Sequence, residues 1–263
     1  MFNNTEFKIL CLGDIVGEDA VTRIKEDLPK YVKENKINCV IAHGENALMG
    51  RGNGISPQIA EDLFYAGVDV ITGGNHSFAS NSIYSMLDDN PAIIRPANLH
   101  PSCPGFGASL LDINGKMILV MNVIGRIYMS NSASDPFMEI EKILERYKGK
   151  YDVSVLDIHA EATSEKFCIA SEFDGRINII FGTHTHVPTA DLRIMPQGSA
   201  FITDLGMCGP ENSSLGVKAE IAVKKIKSDM PVRFELSRNI VRLEGAIFTL
   251  TGNRVTSVCQ IRI

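Results

Sequence analysis

The 263-residue chain has no tryptophan and no Cys-x-x-Cys pair. It also has no apolar stretch near the ~18 residues that would suggest a membrane-spanning helix. The lack of spaced thiols argues against a zinc ribbon, a thioredoxin-like centre or a disulfide-stapled scaffold. The opening MFNNTEFKILCLGD lacks a basic segment followed by a long apolar one, so no secretory leader is visible. Without leader or span, the expected location is the cytoplasm and no membrane partner is expected. An excess of positive charge is missing too: 26 Lys and Arg face 31 Asp and Glu, a net charge of -5. A sequence-blind grip on nucleic-acid polymers needs a broad basic surface, so no stable complex with such a polymer is expected. A small anionic substrate remains compatible, because bound metal supplies positive charge locally.

What is present is ordinary for a globular protein: 44% hydrophobic and 22% charged residues. The length suits one large domain, 1–263, able to bury its core without staples. The six cysteines (Cys11, Cys39, Cys103, Cys168, Cys208, Cys259) read as reduced core thiols, with Cys11 and Cys39 inside apolar runs. No linker, internal repeat or low-complexity segment is found.

Short apolar runs alternate with amphipathic segments. Phe7–Leu12 reads as a buried strand. Residues 18–35 follow as a helix, with Val21, Ile24, Leu28 and Val32 on one face and Pro29 predicting a kink or break. Ile37–Ala42 is a strand, and Ser56–Ala66 a helix capped by Ser56 with Pro57 at its first position. Val68–Thr72 is a strand, then a helix near 80–89 and a short strand at 92–95. Residues 108–122 read as a hairpin around Asn114-Gly115. A helix near 135–148 starts at Asp135-Pro136, and strands Val153–Ile158 and Ile177–Phe181 flank another helix. In the tail, 199–203, 219–225, 232–237, 241–250 and 254–263 look like strands completing a second sheet. The expected architecture is α/β: a β-sandwich of two mixed sheets flanked by helices.

The polar residues sit at informative places. Asp14 follows the first strand, Glu45 and Asn46 the second (HGEN), and Asn75 and His76 the third (GGNH). His159 follows a later strand (LDIHAE), and His184 and His186 another (GTHTH). Ligands of α/β sheets bind beyond the carboxyl ends of strands, where such loops converge. His-x-His on a strand places both rings on one face; in an extended loop the two can diverge toward two metals. No thiolate is among these groups, and imidazole, carboxylate and amide oxygen together suit Fe, Mn or Zn. Two divalent ions would bring four positive charges, of which Asp14 and Glu45 offset two. The remainder can hold a hydroxide and a phosphate group, which favours a two-metal hydrolase.

GD-x-x-G, GEN, GNH, a lone strand-end histidine and GTHTH follow the block order of the calcineurin-like metallophosphoesterases. More narrowly, GDIVG, HGENA, RPAN, DIHAEATSEK, DGR, GTHTHVPTAD and TDLGMCGP resemble the YmdB subgroup of bacterial 2',3'-cyclic-nucleotide phosphodiesterases. The likeness covers nearly the whole chain. It implies two divalent or mixed-valence transition-metal ions, Fe or Mn first and Zn third. One would be held by Asp14, Glu45, Asn46 and His186, the other by Glu45, Asn75, His159 and His184, with Glu45 bridging. A metal-bound hydroxide would attack the cyclic phosphodiester of a small nucleotide, and His76 would be the general acid. A homo-oligomer is compatible with the resemblance. The alternatives are a phosphomonoesterase, a broad phosphodiesterase, or a metal-binding regulatory protein with little turnover.

Ile15-Val16 replaces the superfamily's usual Asp-x-His, and Glu45 stands where an aspartate usually bridges; both agree with the subgroup. The run after GNH is Ser77-Phe78-Ala79, and the loop at 49–54 (MGRGNG) looks long. Asp157, two residues before His159 on the same strand face, is a candidate to orient a ligand histidine. Asp204, Asn98, Arg95 and Arg126 read as turn or surface residues, His43 as packing at a strand end, and His100 as solvated.

Overall fold

The computed structural model describes residues 6–50, 53–130, 132–228 and 230–263. Arg51 and Gly52 of the 49–54 loop, and the first five residues of the N-terminus, lie outside the described residues.

β1 (Glu6–Ile15) runs through the middle of a seven-stranded sheet. On one side it pairs in parallel with β2 (Cys39–His43), which pairs in parallel with β3 (Val70–Thr72). A six-stranded sheet faces it. β4 (Ala108–Ile113) and β5 (Lys116–Ile124) form the hairpin expected from Asn114-Gly115, and both turn residues have positive φ. Next come β6 (Val153–His159), β7 (Ile179–Thr183), the antiparallel edge β8 (Arg193–Ile194) and β9 (Ala200–Ile202). β5, β6, β7 and β9 are mutually parallel neighbours.

The alternation in β1 shows how the layers are set. Ile9 and Cys11 face the inter-sheet core with Val120, Val155 and Phe181. Leu10 and Leu12 face the opposite side, beneath α1 (Glu18–Asn35), α2 (Pro57–Tyr65) and α3 (Tyr84–Asp89). A strand covered on both faces must be apolar at nearly every position. α4 (Pro136–Arg146) and α5 (Thr163–Glu172) cover the outside of the second sheet through Ile140, Ile143 and Ile169. Ser56 accepts a hydrogen bond from Ile59 N at 3.3 Å, so the expected cap forms, and Asp135 caps α4 by accepting from Phe137 N at 2.8 Å.

Three expectations need correction. Pro29 does not break α1, which runs unbroken from Glu18 to Asn35; the residue is exposed, on the side of the helix away from the buried Ala20, Val21, Ile24 and Leu28. Second, 199–203 does lie in the second sheet, as β9, but the later C-terminal strands join the first sheet. β10 (Met207–Pro210) pairs with the end of β1 and with β11 (Val241–Arg242). β12 (Glu244–Thr251) pairs antiparallel with β1, and β13 (Arg254–Arg262) with β12. Ala246, Phe248 and Leu250 thereby enter the inter-sheet core. Third, 219–225 lies in α6 (Ala219–Ser228), where Ala, Glu and Lys outvote the alternating Ile221 and Val223. Residues 232–237 form no strand, and only Leu236 makes a bridge, to Val217. Among the cysteines, Cys11, Cys39 and Cys208 are buried, Cys103 is intermediate, and Cys168 and Cys259 are exposed, so only part of the set is core. Among the described residues, no helix is long and apolar enough to cross a membrane.

Candidate metal centre

The carboxyl ends of β1, β2, β3, β6 and β7 meet at one point. Asp14 is the penultimate residue of β1, after a register shift between Leu12 and Asp14. A Cβ on the intervening Gly13 would lie 2.1 Å from Gly206 O, so glycine is what lets the two segments close. Glu45 and Asn46 follow β2 directly, and both are buried. Asn75 and His76 follow β3, and His76 N donates to Glu45 Oε2 at 2.7 Å. His159 ends β6 and is fully buried. His184 and His186 follow β7 with φ of 97° and 62°, in the left-handed region that non-glycine residues rarely adopt. These turns separate the two rings: His184 Nδ1 faces His159, whereas His186 Nε2 faces Asp14 and Asn46. Of the two geometries open to His-x-His, the diverging one is found.

The expected ligand atoms fall into two adjoining groups. His159 Nε2 lies 2.8 Å from Asn75 Oδ1, 3.1 Å from Glu45 Oε1 and 3.0 Å from His184 Nδ1. The Asn46 amide lies 3.4 Å from Asp14 Oδ1, 3.3 Å from Glu45 Oε1 and 3.3 Å from His186 Nε2. Glu45 belongs to both. In the first group atoms that bear lone pairs crowd together, which suits a shared cation; in the second the Asn46 amide N–H group donates to the Asp14 and Glu45 carboxylates and faces His186. Asp14, Glu45 and His159, with His43, also form a buried group whose ligand atoms lie within 4.8 Å of one another. This Asp/His/Glu/His cluster suits a divalent metal.

His43 is the residue the sequence reading undervalued. It is fully buried, and its ring stacks parallel on His159 with centroids 4.7 Å apart. Its Nδ1 lies 2.8 Å from Asp157 Oδ2, and its Nε2 is 3.6 Å from Asp14 Oδ1 without a hydrogen bond. A polar side chain closing the apolar strand CVIAH, directly before GEN, was the signal available.

Asp157 does connect to a site histidine, though through a hydroxyl. Thr183 Oγ1 donates to Asp157 Oδ1 at 2.8 Å and lies 3.0 Å from His159 Nδ1. With the Thr183 hydroxyl donating to Asp157, His159 Nδ1–H donates to Thr183 Oγ1, and Nε2 keeps its lone pair for the cluster.

The four supposed turn or surface residues divide. Arg126 is exposed, but Asp204, Asn98 and Arg95 are buried. Asp204 pairs with the fully buried Lys166 at 2.8 Å and accepts from Thr185 N and Oγ1, fixing the turn between His184 and His186. Asn98 bonds Ile124 N and O, while Arg95 Nη1 donates to Pro96 O and Ala97 O. These residues satisfy backbone groups of an irregular segment that runs through the interior. His100 is exposed, as expected.

Without bound cations the charges are strongly coupled. Burial disfavours ionisation of Asp14, but the fields of His43 and His186 outweigh it and hold its pKa well below the carboxylate range. Burial likewise opposes ionisation of Glu45, yet His159 and His43 bring its pKa to about 2. Burial would lower His43, but Asp14 and Asp157 raise it to about 10. Burial, with His159 beside it, lowers His184 to about 4. The pocket therefore stabilises positive charge at its floor and a neutral imidazole at His184. Above the floor opens a cavity of about 470 Å³, lined by His76, Asn53 and Glu161 among others.

A family model described as YmdB-like protein matches residues 10–261. A Bacillus subtilis (strain 168) protein, the 2',3'-cyclic-nucleotide 2'-phosphodiesterase, is 38% identical over 256 residues, covering 97% of this chain and 96% of that one. The solved structure of a phosphatase from Mycoplasma pneumoniae superposes with a TM-score of 0.91 at 34% identity, over 98% of this chain and 94% of that one. A hypothetical protein from Thermus thermophilus superposes with a TM-score of 0.90 at 32% identity, over 98% of this chain and 99% of that one.

Proposed function

This chain belongs to the YmdB-like protein family, and from that premise we propose that it is a metal-dependent hydrolase opening 2',3'-cyclic nucleotides at a dinuclear centre. Asp14, Asn46 and His186 would hold one ion and Asn75, His159 and His184 the other, with Glu45 within reach of both groups. The observation that supports this most is the pair of ligand-atom groups sharing Glu45, with His76 beside them on the cavity wall. Fe or Mn suits this donor set, with Zn as the third choice. Such ions supply a nucleophile near neutral pH and neutralise charge developing on the phosphoryl oxygens.

The chain's own residues do the rest. His76 is half-buried, and its backbone N–H is spent on Glu45 while its ring lines the cavity. The Asn53 amide nitrogen lies 3.3 Å from His76 Nδ1, so Asn53 steadies the ring. An imidazole that lines the cavity beside a ligand is placed to protonate the departing ribose oxygen. The description of the Mycoplasma relative as a phosphatase keeps a monoesterase reading in view.

The test is turnover of 2',3'-cyclic AMP, 3',5'-cyclic AMP and an aryl phosphodiester by metal-loaded wild type and His76→Ala, with bound metal quantified. Opening of the 2',3' ring by wild type, with turnover reduced ~10²–10⁴-fold in the variant at equal metal content, is expected. Loss of metal in the variant would overturn the acid role. Hydrolysis of the aryl ester alone would overturn the substrate, and two bound metals without turnover of any ester would favour a regulatory protein.

A further inference from the structure

The metal cavity has two unlike halves. Its floor is the polar cluster; its outer wall is apolar, made by Met49, Leu215, Val217, Ile226 and Phe234. α6 has no buried residue, yet Ala222, Lys225 and Ile226, spaced i, i+3, i+4 on one face, line this cavity. Ile226 is 82% exposed, Phe234 52% and Leu215 45%, so three large apolar side chains stand in solvent at the mouth of a polar site. A patch of that kind beside a pocket marks a ligand-binding surface.

The backbone holds Phe234 in place. Lys218 N donates to Glu235 O and Ser237 N to Gly216 O, both at 2.9 Å, and Leu236 bridges Val217. The segment carrying Phe234 is thus tied to the strip that carries Leu215. Phe78, the aromatic nearest GNH in sequence, is engaged elsewhere: it packs edge-on to Tyr84 at 6.0 Å between centroids. Among the described residues Phe234 is the one phenyl or phenol ring lining the cavity.

We infer that Phe234 and Ile226 form the base-binding wall of this site, holding the nucleobase by its face while the phosphate meets the metal-ligand floor. The inference rests on the cyclic-nucleotide reading above. A phosphate at the floor leaves the rest of the substrate, a ribose and a flat base, to occupy the outer half of a cavity whose size lies within the ~300–1,000 Å³ usual for small-molecule sites. An aromatic face and a branched aliphatic chain grip a base without reading its edge, because every base has a π-face. Phe234 and Ile226 therefore set affinity for nucleotides over base-free esters and discriminate weakly among bases.

The experiment compares 2',3'-cyclic AMP, 2',3'-cyclic UMP and methyl ribofuranoside 2',3'-cyclic phosphate, which has no base. Wild type, Phe234→Ala, Phe234→Tyr and Ile226→Ser are assayed as metal-loaded full-length proteins. Both side chains are exposed, so the variants fold. For Phe234→Ala, kcat/KM falls about tenfold or more on both nucleotides, mainly through KM. The base-free ester, having nothing to lay on the wall, changes by less than about twofold on the same reasoning. Phe234→Tyr restores the nucleotides, and Ile226→Ser follows Phe234→Ala to a smaller extent. Equal losses on all three esters, or no loss on any, would overturn the wall. Failure of wild type to open any of the three rings would instead bring down the cyclic-nucleotide reading, and the inference with it.

Discussion

His43 and Asp157 meet inside the protein, Nδ1 to Oδ2 at 2.8 Å, with neither side chain exposed to solvent. The same carboxylate takes the Thr72 hydroxyl at 2.5 Å and the Thr183 hydroxyl at 2.8 Å. Asp157 thus orients two stacked imidazoles at once, His43 directly and His159 through Thr183. Outer partners of this kind fix the tautomer and direction of a ligand ring. Asp157→Asn keeps the volume and removes the charge, so metal affinity is expected to fall ~10–100-fold. Competition against a calibrated chelator measures it, and wild-type affinity in the variant would reduce Asp157 to a structural anchor.

Gly74 supplies a second test, of space alone. A Cβ there would stand 2.5 Å from Glu45 Oε2 and 2.5 Å from His159 Nε2. Gly74→Ala must displace one or both of the groups proposed to share a metal. Bound metal and turnover should therefore fall together, while cooperative unfolding persists because the inter-sheet core lies elsewhere. Full metal occupancy in Gly74→Ala would mean that Glu45 and His159 are not ligands.

Much of this centre was legible because its residues occupy strand ends, where continuous apolar runs stop and polar groups begin. Asp14, Glu45 and His159 could be placed by that rule without knowing which strand pairs with which. The tail could not. Residues 219–225 carry alternating Ile221 and Val223 along with good helix formers, and α6 buries nothing that would settle the choice. Nor does an amphipathic strand announce its sheet: β12 joins β1 because Ala246, Phe248 and Leu250 complete the inter-sheet core. Buried polar residues were the other blind spot. Arg95, Asn98 and Asp204 resemble loop residues in composition, and only the path of the chain shows that they bond backbone inside the protein.

Lys166 and Asp204 make this concrete. Both are fully buried and 2.8 Å apart, and Asp204 also accepts from Thr185. Burial raises the pKa of Asp204, and Lys166 opposes that rise. Removing the cation alone strands a buried acid. Lys166→Met is expected to cost roughly 3–5 kcal/mol of stability. Adding Asp204→Asn should recover part of the loss by removing the charge. Denaturant titration of the single and double variants checks both; a single variant as stable as wild type would show that the pair's attraction only offsets its desolvation.

Asp191 gives a pH dependence that lies away from the metal cluster. Burial would raise its pKa, but hydrogen bonds from the Thr189 and Thr203 hydroxyls, both 2.6 Å, outweigh that and lower it. Thr203 N adds a third donor at 3.1 Å. The folded pKa lies below the unfolded one, so the native state binds the proton less readily than the unfolded chain does. Asp191 therefore contributes stability that is fully present above the unfolded value of about 4. That contribution is lost as pH falls through the lower folded value. Asp191→Asn lacks the charge at every pH. The gap in Tm between wild type and variant should then be constant from neutrality to about pH 5 and narrow below about pH 4. Thermal melts of the two proteins side by side measure that gap, and the common acid sensitivity of the other carboxylates cancels in the difference. A gap that stays constant down to about pH 2.5, or widens, would mean that the three donors do not favour the carboxylate.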